Sequence, residues 1–568
     1  MNFVEKVGVN SCNWMAFERL ITRLLICDGY ENVRQVGGTG DHGADIIASK
    51  YNKRWLIQAK QWRKTVGIGV LNETIKSLRD YRADIPVIAA SSGFDSIVIR
   101  QQQILHSQKI SLQLWDERKI LSIASKIPTG TIINKKKLHE YQEEAVKNII
   151  QVFLSQYENR ALVVLATGLG KTFVAAEAIR RINALKPVQV LVLAHTNSLV
   201  YQLEKSFWPF LTVDQCTYIW NGHEHPNLSN GYNFVFACID TVYDALTKNI
   251  VYDFDVIIID ECHHAGSYSY RKVIEYYDAG KPSGPFLLGL TATPWRPDEN
   301  DIREIFGEPR ISIDMVYGMK HGFLTNVDYR MYTDNIDWES LKTFDGNLFS
   351  PKKINKTLFI NQWDDAVVTE LQKVWYEQSK PRAIVFCGTI DHAIKMRDRI
   401  NALGFCHAAA IFSGAKDAPE DQPFYERNRI VCDFSDGLID VVCAVDIFNE
   451  GIDVPDVNII VFQRVTHSRR IFIQQLGRGL RISEDKDKVI VLDFVSDIRR
   501  FAAGLNLKDK LAVQEPTRVD IPNKVTFRKV GGEDSKTEHF LREWLDDVAT
   551  IEEANEDASI LKYPPQIP

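Results

Sequence analysis

Leu165-Ala166-Thr167-Gly168-Leu169-Gly170-Lys171-Thr172 follows the apolar run Ala161 to Ala166 and precedes a helical pattern beginning near Phe173. That order of strand, glycine turn and helix makes the stretch a phosphate loop. Glycines let successive backbone N–H groups converge on phosphate oxygens at a helix N-terminus, Lys171 reaches the β and γ oxygens, and Thr172 offers a hydroxyl to Mg²⁺. Thr167, Gly168, Gly170, Lys171 and Thr172 are therefore the candidate nucleotide contacts. Leu165 stands where the GxxxxGK[ST] template has its first glycine, so the loop alone does not decide the fold. Further along, Val256-Ile257-Ile258-Ile259-Asp260-Glu261-Cys262-His263-His264 ends four apolar residues in two carboxylates. This places charge at the C-terminal tip of a buried strand, where ligands bind in open α/β sheets. Asp260 is positioned to hold Mg²⁺, and Glu261 to orient or deprotonate the attacking water.

Outward from these two stretches the chain continues in the same rhythm. Ala161 to Ala166, Val188 to Ala194, Asn233 to Ile239, Val256 to Ile259 and Phe286 to Leu290 are continuous apolar runs bounded by turns, and helical patterns separate them. Such runs predict parallel strands buried on both faces. A second series follows at Ala383 to Cys387, Ala408 to Phe412, Asp440 to Ala444, Asn458 to Phe462 and Val489 to Phe494. The Trp- and Asn-rich stretch between Phe207 and Asn233 has weak periodicity and is expected to be a surface excursion. The first block mixes a helical stretch, Phe17 to Ile26, with short β-rich runs at Arg54 to Ala59 and Pro86 to Ala90. The Lys-rich link Asn134 to Lys137 joins it to the rest. The expected division is an α/β domain at 1–128, two tandem parallel-sheet α/β domains at 134–300 and 318–500, and a small C-terminal segment at 501–568. Within that segment residues 538–562 carry eight acidic side chains against two basic ones. They are expected to form a helix with a solvated face and to offer a surface for a protein partner.

Several further stretches occur in a recognisable order, and over residues 134 to 500 the chain resembles superfamily 2 helicases and translocases of the DExH kind. Leu138-His139-Glu140-Tyr141-Gln142 is similar to the adenine-recognising element, with Gln142 the residue for the adenine edge. Ala194-His195-Thr196 resembles the motif that touches the strand backbone, although Asn197-Ser198 is not its commonest ending. Gly289-Leu290-Thr291-Ala292-Thr293-Pro294 resembles the motif coupling hydrolysis to movement. In the second half, Ile384-Val385-Phe386-Cys387 is similar to the opening strand of that domain, and Asn449 to Pro455, with Asp453, to the coupling loop. Gln474 to Arg481 completes the set. By this resemblance both domains are RecA-like, Arg478 and Arg481 are arginine fingers on one helical face, and His263 couples the nucleotide to the second lobe. ATP closes the two lobes and hydrolysis opens them. Whether duplex is unwound or only tracked does not follow.

In the first block, Gly37-Gly38-Thr39-Gly40-Asp41-His42-Gly43-Ala44-Asp45 is followed by Arg54-Trp55-Leu56-Ile57-Gln58-Ala59-Lys60. The glycines permit a tight turn that presents Asp45 at a strand entrance, and period-two alternation puts Gln58 and Lys60 on one face of the next strand. A carboxylate and a second oxygen ligand for Mg²⁺, with an ammonium beside them, are what phosphodiester hydrolysis requires. Residues 14 to about 122 resemble the Mrr-like branch of the PD-(D/E)xK nucleases, in which a Gln-x-Lys pair is typical. The resemblance implies a restriction-endonuclease-like domain whose active site is Glu18, Asp45, Gln58 and Lys60, with Asp41 a lesser candidate. Gln58 departs from the usual acidic residue, so Glu18 is expected to supply the second charge. Two other readings stay open: a domain that docks DNA without cutting, and an ordinary hairpin turn. Trp55 and Trp62 are expected to be core rather than a base-stacking platform.

Composition fits a soluble protein, with 45% hydrophobic and 25% charged residues. There is no apolar run of membrane-spanning length, no signal peptide and no CxxC pair among nine cysteines. The cytoplasm is the expected location. The net charge of −6 is unevenly spread: residues 1–128 hold 18 Lys+Arg against 12 Asp+Glu, and the remainder 50 against 62. The basic excess lies where a phosphate-binding surface is needed. The expectation is an ATP- and Mg²⁺-dependent endonuclease and translocase on double-stranded DNA, of restriction or phage-defence type. The alternatives are a helicase or translocase without nuclease activity, acting in repair, on RNA, or as a subunit of a larger complex.

Overall fold

The computed structural model describes residues 2–37, 43–128, 130–133, 137–155, 157–225, 233–250, 252–292, 302–313, 317–318, 321–333, 348–349, 361–412, 424–445, 457–463, 488–495, 526–529 and 561–562. The first domain contains α1 (Phe3–Val7), α2 (Trp14–Cys27), β1 (Glu31–Gln35), β2 (Ile46–Lys50), β3 (Lys53–Lys60), α3 (Ile68–Asp80), β4 (Ile85–Ala90), α4 (Ser96–Ser107), β5 (Gln113–Trp115) and α5 (Glu117–Ser125). Its five strands lie in sequence order, antiparallel from β1 to β3 and parallel from β3 to β5. On α2, Phe17, Leu20, Ile21, Leu24 and Leu25 recur at three-to-four spacing and pack with Ile46, Ala48, Trp55, Ile57 and Ala59 in one core. A second core, from Val70, Leu71 and Val98 with Ile88 and Ala90, forms where α3 and α4 cover the other face. Trp55 is core at 7% exposure, as expected, but Trp62 is 44% exposed. It lies beyond the end of β3.

The second domain contains α6 (Glu140–Leu154), β6 (Arg160–Leu165), α7 (Lys171–Leu185), β7 (Val190–Ala194), α8 (Asn197–Phe207), β8 (Thr217–Trp220), β9 (Phe234–Cys238), α9 (Ile239–Thr247), β10 (Val256–Asp260), α10 (Tyr268–Tyr276), β11 (Phe286–Thr291), α11 (Arg303–Phe306) and β12 (Pro309–Ile313). The sheet order is β12-β6-β11-β10-β7-β9-β8. β11 enters with Leu287 N–H donating to Asn159 O and Phe286 N–H to Asp255 O. Strands β6, β10 and β11 therefore start at one edge and finish at the other, which brings the phosphate loop and Asp260-Glu261 to the same C-terminal edge.

The described part of the stretch between Phe207 and Asn233, up to residue 225, is not a surface excursion. Trp208, Phe210, Cys216 and Trp220 are buried, and β8 runs parallel to β9 as the edge strand. A four-residue strand is too short to show a period, and its aromatic neighbours fold back to cover it. Val213 and Cys216 also join the α2 core, so the first two domains share one hydrophobic interior.

The third domain contains β13 (Asn326–Thr333), β14 (Leu348–Phe349), α12 (Asn361–Trp375), β15 (Ala383–Phe386), α13 (Ile390–Leu403), β16 (Ala408–Phe412), α14 (Phe424–Ser435), β17 (Val441–Val445), β18 (Ile459–Phe462), β19 (Lys488–Val495), β20 (Thr526–Lys529) and β21 (Leu561–Lys562). Its seven strands run β16-β17-β15-β18-β19-β13-β20, all parallel. The five apolar runs of the second series are the strands β15 to β19. Thr526–Lys529 extends the sheet beside β13, while β14 and β21 pair antiparallel. The fold is thus α/β, with a mixed sheet in the first domain and a parallel sheet in each of the two domains that follow in sequence. No helix among the described residues is long and apolar enough to cross a membrane, and all nine cysteines are free.

Candidate functional site

The phosphate loop is built by backbone. β6 ends at Leu165, Ala166 N–H donates to Ile313 O of β12, and Leu169 N–H returns to Ala166 O. Gly168 and Gly170 sit at φ +94° and +82°, which L side chains rarely adopt, and Lys171 and Thr172 open α7 immediately afterwards. Across the sheet, buried Asp260 ends β10 and Glu261 follows in the left-handed region at φ +47°. A non-glycine residue held there is strained, as is common where a side chain is aimed at a ligand. The Glu261 carboxylate meets His263 Nδ1 at 3.2 Å. The His264 ring lies 4.2 Å from that of His263 and 4.5 Å from that of His195, so the His195 motif packs on the acidic motif. Thr291 ends β11 fully buried.

Gln142 is buried in the first turn of α6, and its Oε1 accepts from His139 N–H at 3.0 Å, closing the helix N-terminus. Arg181 of α7 grips Glu143 of α6 with two hydrogen bonds of 2.8 and 2.7 Å and also reaches Glu177. The helix bearing Gln142 is thereby tied to the helix that follows the phosphate loop. Thr293, Asp453, Arg478 and Arg481 lie outside the described residues.

The second candidate site, in the first domain, is built by side chains from three elements. Asp45 enters β2 at 2% exposure, and its Oδ2 accepts from Ala59 N–H at 2.6 Å and meets Lys60 Nζ at 3.5 Å. Its Oδ1 is 3.1 Å, and Glu18 Oε2 3.3 Å, from the place a Cβ on Gly37 would occupy. Two carboxylates, from α2 and from the β2 entrance, thus face one point beside the lysine of β3. Hard oxygen donors in this arrangement suit a divalent cation that keeps several waters, such as Mg²⁺. Asp41 lies outside the described residues. Among the described residues no group of three or more His, Cys, Asp or Glu forms a metal cage.

Gln58 lies on the same face of β3 as Lys60 and is fully buried. Its Oε1 accepts from Thr74 Oγ1 of α3, and its Nε2 donates to Glu73 Oε2 at 3.3 Å. The acidic acceptor fixes which way the amide points. Sequence reasoning missed Glu73 and Thr74, because nothing in the α3 pattern sets them apart from other polar residues of an amphipathic helix.

Comparisons with known proteins match three segments of the chain. Residues 9–124 match the Mrr catalytic family, described as "Restriction endonuclease", residues 135–296 match "Type III restriction enzyme, res subunit", and residues 365–483 match "Helicase conserved C-terminal domain". The protein irc3 of Schizosaccharomyces pombe, named for a mitochondrial ATP-dependent helicase, is 28% identical over 68% of this chain and 61% of its own length. The Escherichia coli type I restriction enzyme EcoAI endonuclease subunit is 26% identical over 64% of this chain and 46% of its own. The chain thus spans about half the length of these relatives. Among solved structures, the ATP-dependent type ISP restriction-modification enzyme LlaBIII bound to DNA aligns over 95% of this chain and 42% of its own, with TM-score 0.53 and 17% identity, a likeness of fold. The chain thus carries a segment that matches a restriction endonuclease family, followed by segments that match the res subunit of type III restriction enzymes and the conserved C-terminal helicase domain.

Proposed function

We propose that this chain is an ATP-dependent DNA endonuclease of the restriction or phage-defence kind, in which the motor moves on double-stranded DNA and the front domain cuts it. The observation that carries the reading is the facing pair Glu18 and Asp45 beside Lys60, in a restriction-endonuclease domain that shares its core with a phosphate-loop lobe. The divisions at 1–128, 134–300, 318–500 and 501–568 are the working units of this proposal.

In the nuclease, Asp45 and Glu18 would hold Mg²⁺, which would supply Lewis-acid charge at the scissile phosphate. Lys60 offsets charge developing on the phosphorane oxygens. Gln58 sits behind them, its amide oxygen held by Thr74 and its amide nitrogen by Glu73. In the motor, Gln142 reads the adenine edge, and Thr167, Gly168, Gly170 and Lys171 cradle the phosphates. Thr172 and Asp260 hold the nucleotide's Mg²⁺, Glu261 orients the attacking water, and Asp453, Arg478 and Arg481 complete the site from the second lobe. The resemblance to the EcoAI endonuclease subunit supports a defence role, placed in the cytoplasm, and the acidic segment after residue 501 is a partner-binding candidate.

A second reading, a helicase or translocase whose front domain docks DNA without cutting, is favoured by the neutral Gln58. The test is Mg²⁺-dependent cleavage of plasmid and linear duplex DNA, with and without ATP, by the wild type, Lys60→Ala and Lys171→Ala. Cleavage by the wild type, lost in Lys60→Ala, supports the nuclease, and further dependence on Lys171 makes the motor its driver. Duplex-stimulated ATP hydrolysis without cleavage selects the second reading, and preference for RNA as stimulant defeats both.

A further inference from the structure

We propose that Arg19 is a positioning residue that clamps nuclease helix α2 to motor helix α8, so that the nuclease is carried as one body with the first lobe. The proposal rests on the nuclease reading of Glu18, its neighbour in sequence. Arg19 is only 6% exposed. Its Nε lies 2.8 Å from Glu204 Oε2 of α8, Nη1 pairs with Glu224 Oε1, and Nη2 donates to Glu224 Oε2 at 3.0 Å. The surroundings complete the carboxylates: Thr217 Oγ1 donates to Glu204 Oε1 at 2.6 Å, and Tyr201 Oη to Glu224 Oε1 at 3.1 Å. Asn221 Oδ1 accepts from Glu224 N–H, fixing the turn after β8. Burial opposes the charge on Arg19, but the two carboxylates outweigh it and the guanidinium holds its proton more tightly than usual.

One helical turn later, Arg23 donates to Gln215 O at 2.8 Å and Thr212 O at 3.1 Å, and Phe3 N–H donates to Val213 O at 2.6 Å. Each of these bonds joins the nuclease domain to the motor lobe. A buried ion network is a poor source of stability compared with apolar packing of the same volume, but a forked guanidinium on two carboxylates admits one orientation. The apolar contacts beside it do not. α8 begins directly after His195-Thr196, and Glu204 lies about 12 Å further along its axis. A single helix therefore runs from the motif that resembles a strand contact to the carboxylate that pairs with Arg19, the neighbour of Glu18. A nuclease fixed in this way has its cutting geometry set by where lobe 1 sits on the duplex.

The test uses the full-length chain with Arg19→Met/Glu204→Gln/Glu224→Gln, which removes the network without burying an unpaired charge, and with Arg19→Lys. We expect duplex-stimulated ATP hydrolysis in the triple variant within about twofold of wild type and cleavage lowered about a hundredfold, as loss of alignment produces. Arg19→Lys, which reaches one carboxylate and not both, is expected to fall between them. Wild-type cleavage in the triple variant overturns the proposal. So does a parallel loss of ATP hydrolysis and cleavage, which marks the network as support for the fold alone. If the wild type does not cut, the nuclease reading fails, and proteolysis between residues 128 and 137 judges the clamp. Faster nicking in the triple variant supports it, and unchanged nicking overturns it.

Discussion

The phosphate loop and the nuclease site both depend on glycine, for opposite reasons. In the loop, Gly168 and Gly170 turn the backbone into the left-handed region so that its own N–H groups become the binding surface. In the nuclease, Gly37 and Gly43 make room for other residues. A Cβ on Gly37 would crowd Asp45 and Glu18, and one on Gly43 would lie 2.9 Å from Gln58 Nε2 and from Glu73 Cβ. A site made of backbone is confined to a few consecutive residues and can be read as a motif. A site made of side chains from α2, β2, β3 and α3 is spread over most of a domain and depends on how those elements pack.

Removing the main charge from each site tests whether the two are separable. Lys171→Ala is expected to lower the rate of ATP hydrolysis about 10² to 10³-fold, as loss of one stabilising donor does, measured by phosphate release with duplex present. Asp45→Asn keeps an acceptor for Ala59 N–H and removes the charge, so cleavage falls by a similar factor while melting temperature and ATP hydrolysis hold. Loss of both activities from Asp45→Asn would break the distinction. The glycines sharpen it. Gly43→Ala and Gly168→Ala both place a Cβ in the left-handed region, at a cost of about 1–2 kcal/mol each. Denaturant titration should show the larger destabilisation for Gly43→Ala, whose Cβ also crowds Gln58 and Glu73. Only Gly168→Ala should slow ATP hydrolysis, and only Gly43→Ala should slow cleavage.

Thr74→Val leaves the buried Gln58 oxygen without its donor and is expected to destabilise the first domain by about 1–3 kcal/mol. Thr74→Ser should restore most of that loss, and thermal melts decide the point. The smallest effect concerns Lys205, in the last turn of α8, whose ammonium burial pushes down to about 8 from 10.5. Below pH 8 the folded chain carries a charge it disfavours, and between 8 and 10.5 the unfolded chain binds the extra proton, so stability rises with pH there. Lys205→Met should therefore be more stable than wild type at pH 7, the difference closing as pH approaches 10.5. A difference that does not change with pH would assign the effect to packing.

Much of this molecule was legible from local pattern. Apolar runs such as Val256 to Ile259, short and bounded by turn residues, read as buried strands, and a lysine and threonine after a glycine turn between strand and helix read as a phosphate loop. The alternation that put Gln58 and Lys60 on one face of β3 also followed from geometry within a single strand. Other features were not legible, for reasons that can be stated. Trp62 and Trp55 look alike in sequence and differ because Trp55 lies within β3, packed into the α2 core, and Trp62 lies beyond the strand's end. The stretch after Phe207 lacks a period because its order comes from the neighbouring strand β9 and from α2. Thr74 acquires meaning only when α3 lies across β3 and meets Gln58.

By itself the sequence determined the α/β class, the tandem parallel sheets, the phosphate loop and the nuclease strand, because each follows from periodicity or turn chemistry over a dozen residues or fewer. Tertiary structure alone decided that Glu18 faces Asp45, that the Gln58 amide turns to α3, and that Arg19 is caged by Glu204 and Glu224. Those contacts join residues up to 205 positions apart in the chain, and no local pattern carries the position of a partner that only packing brings within reach.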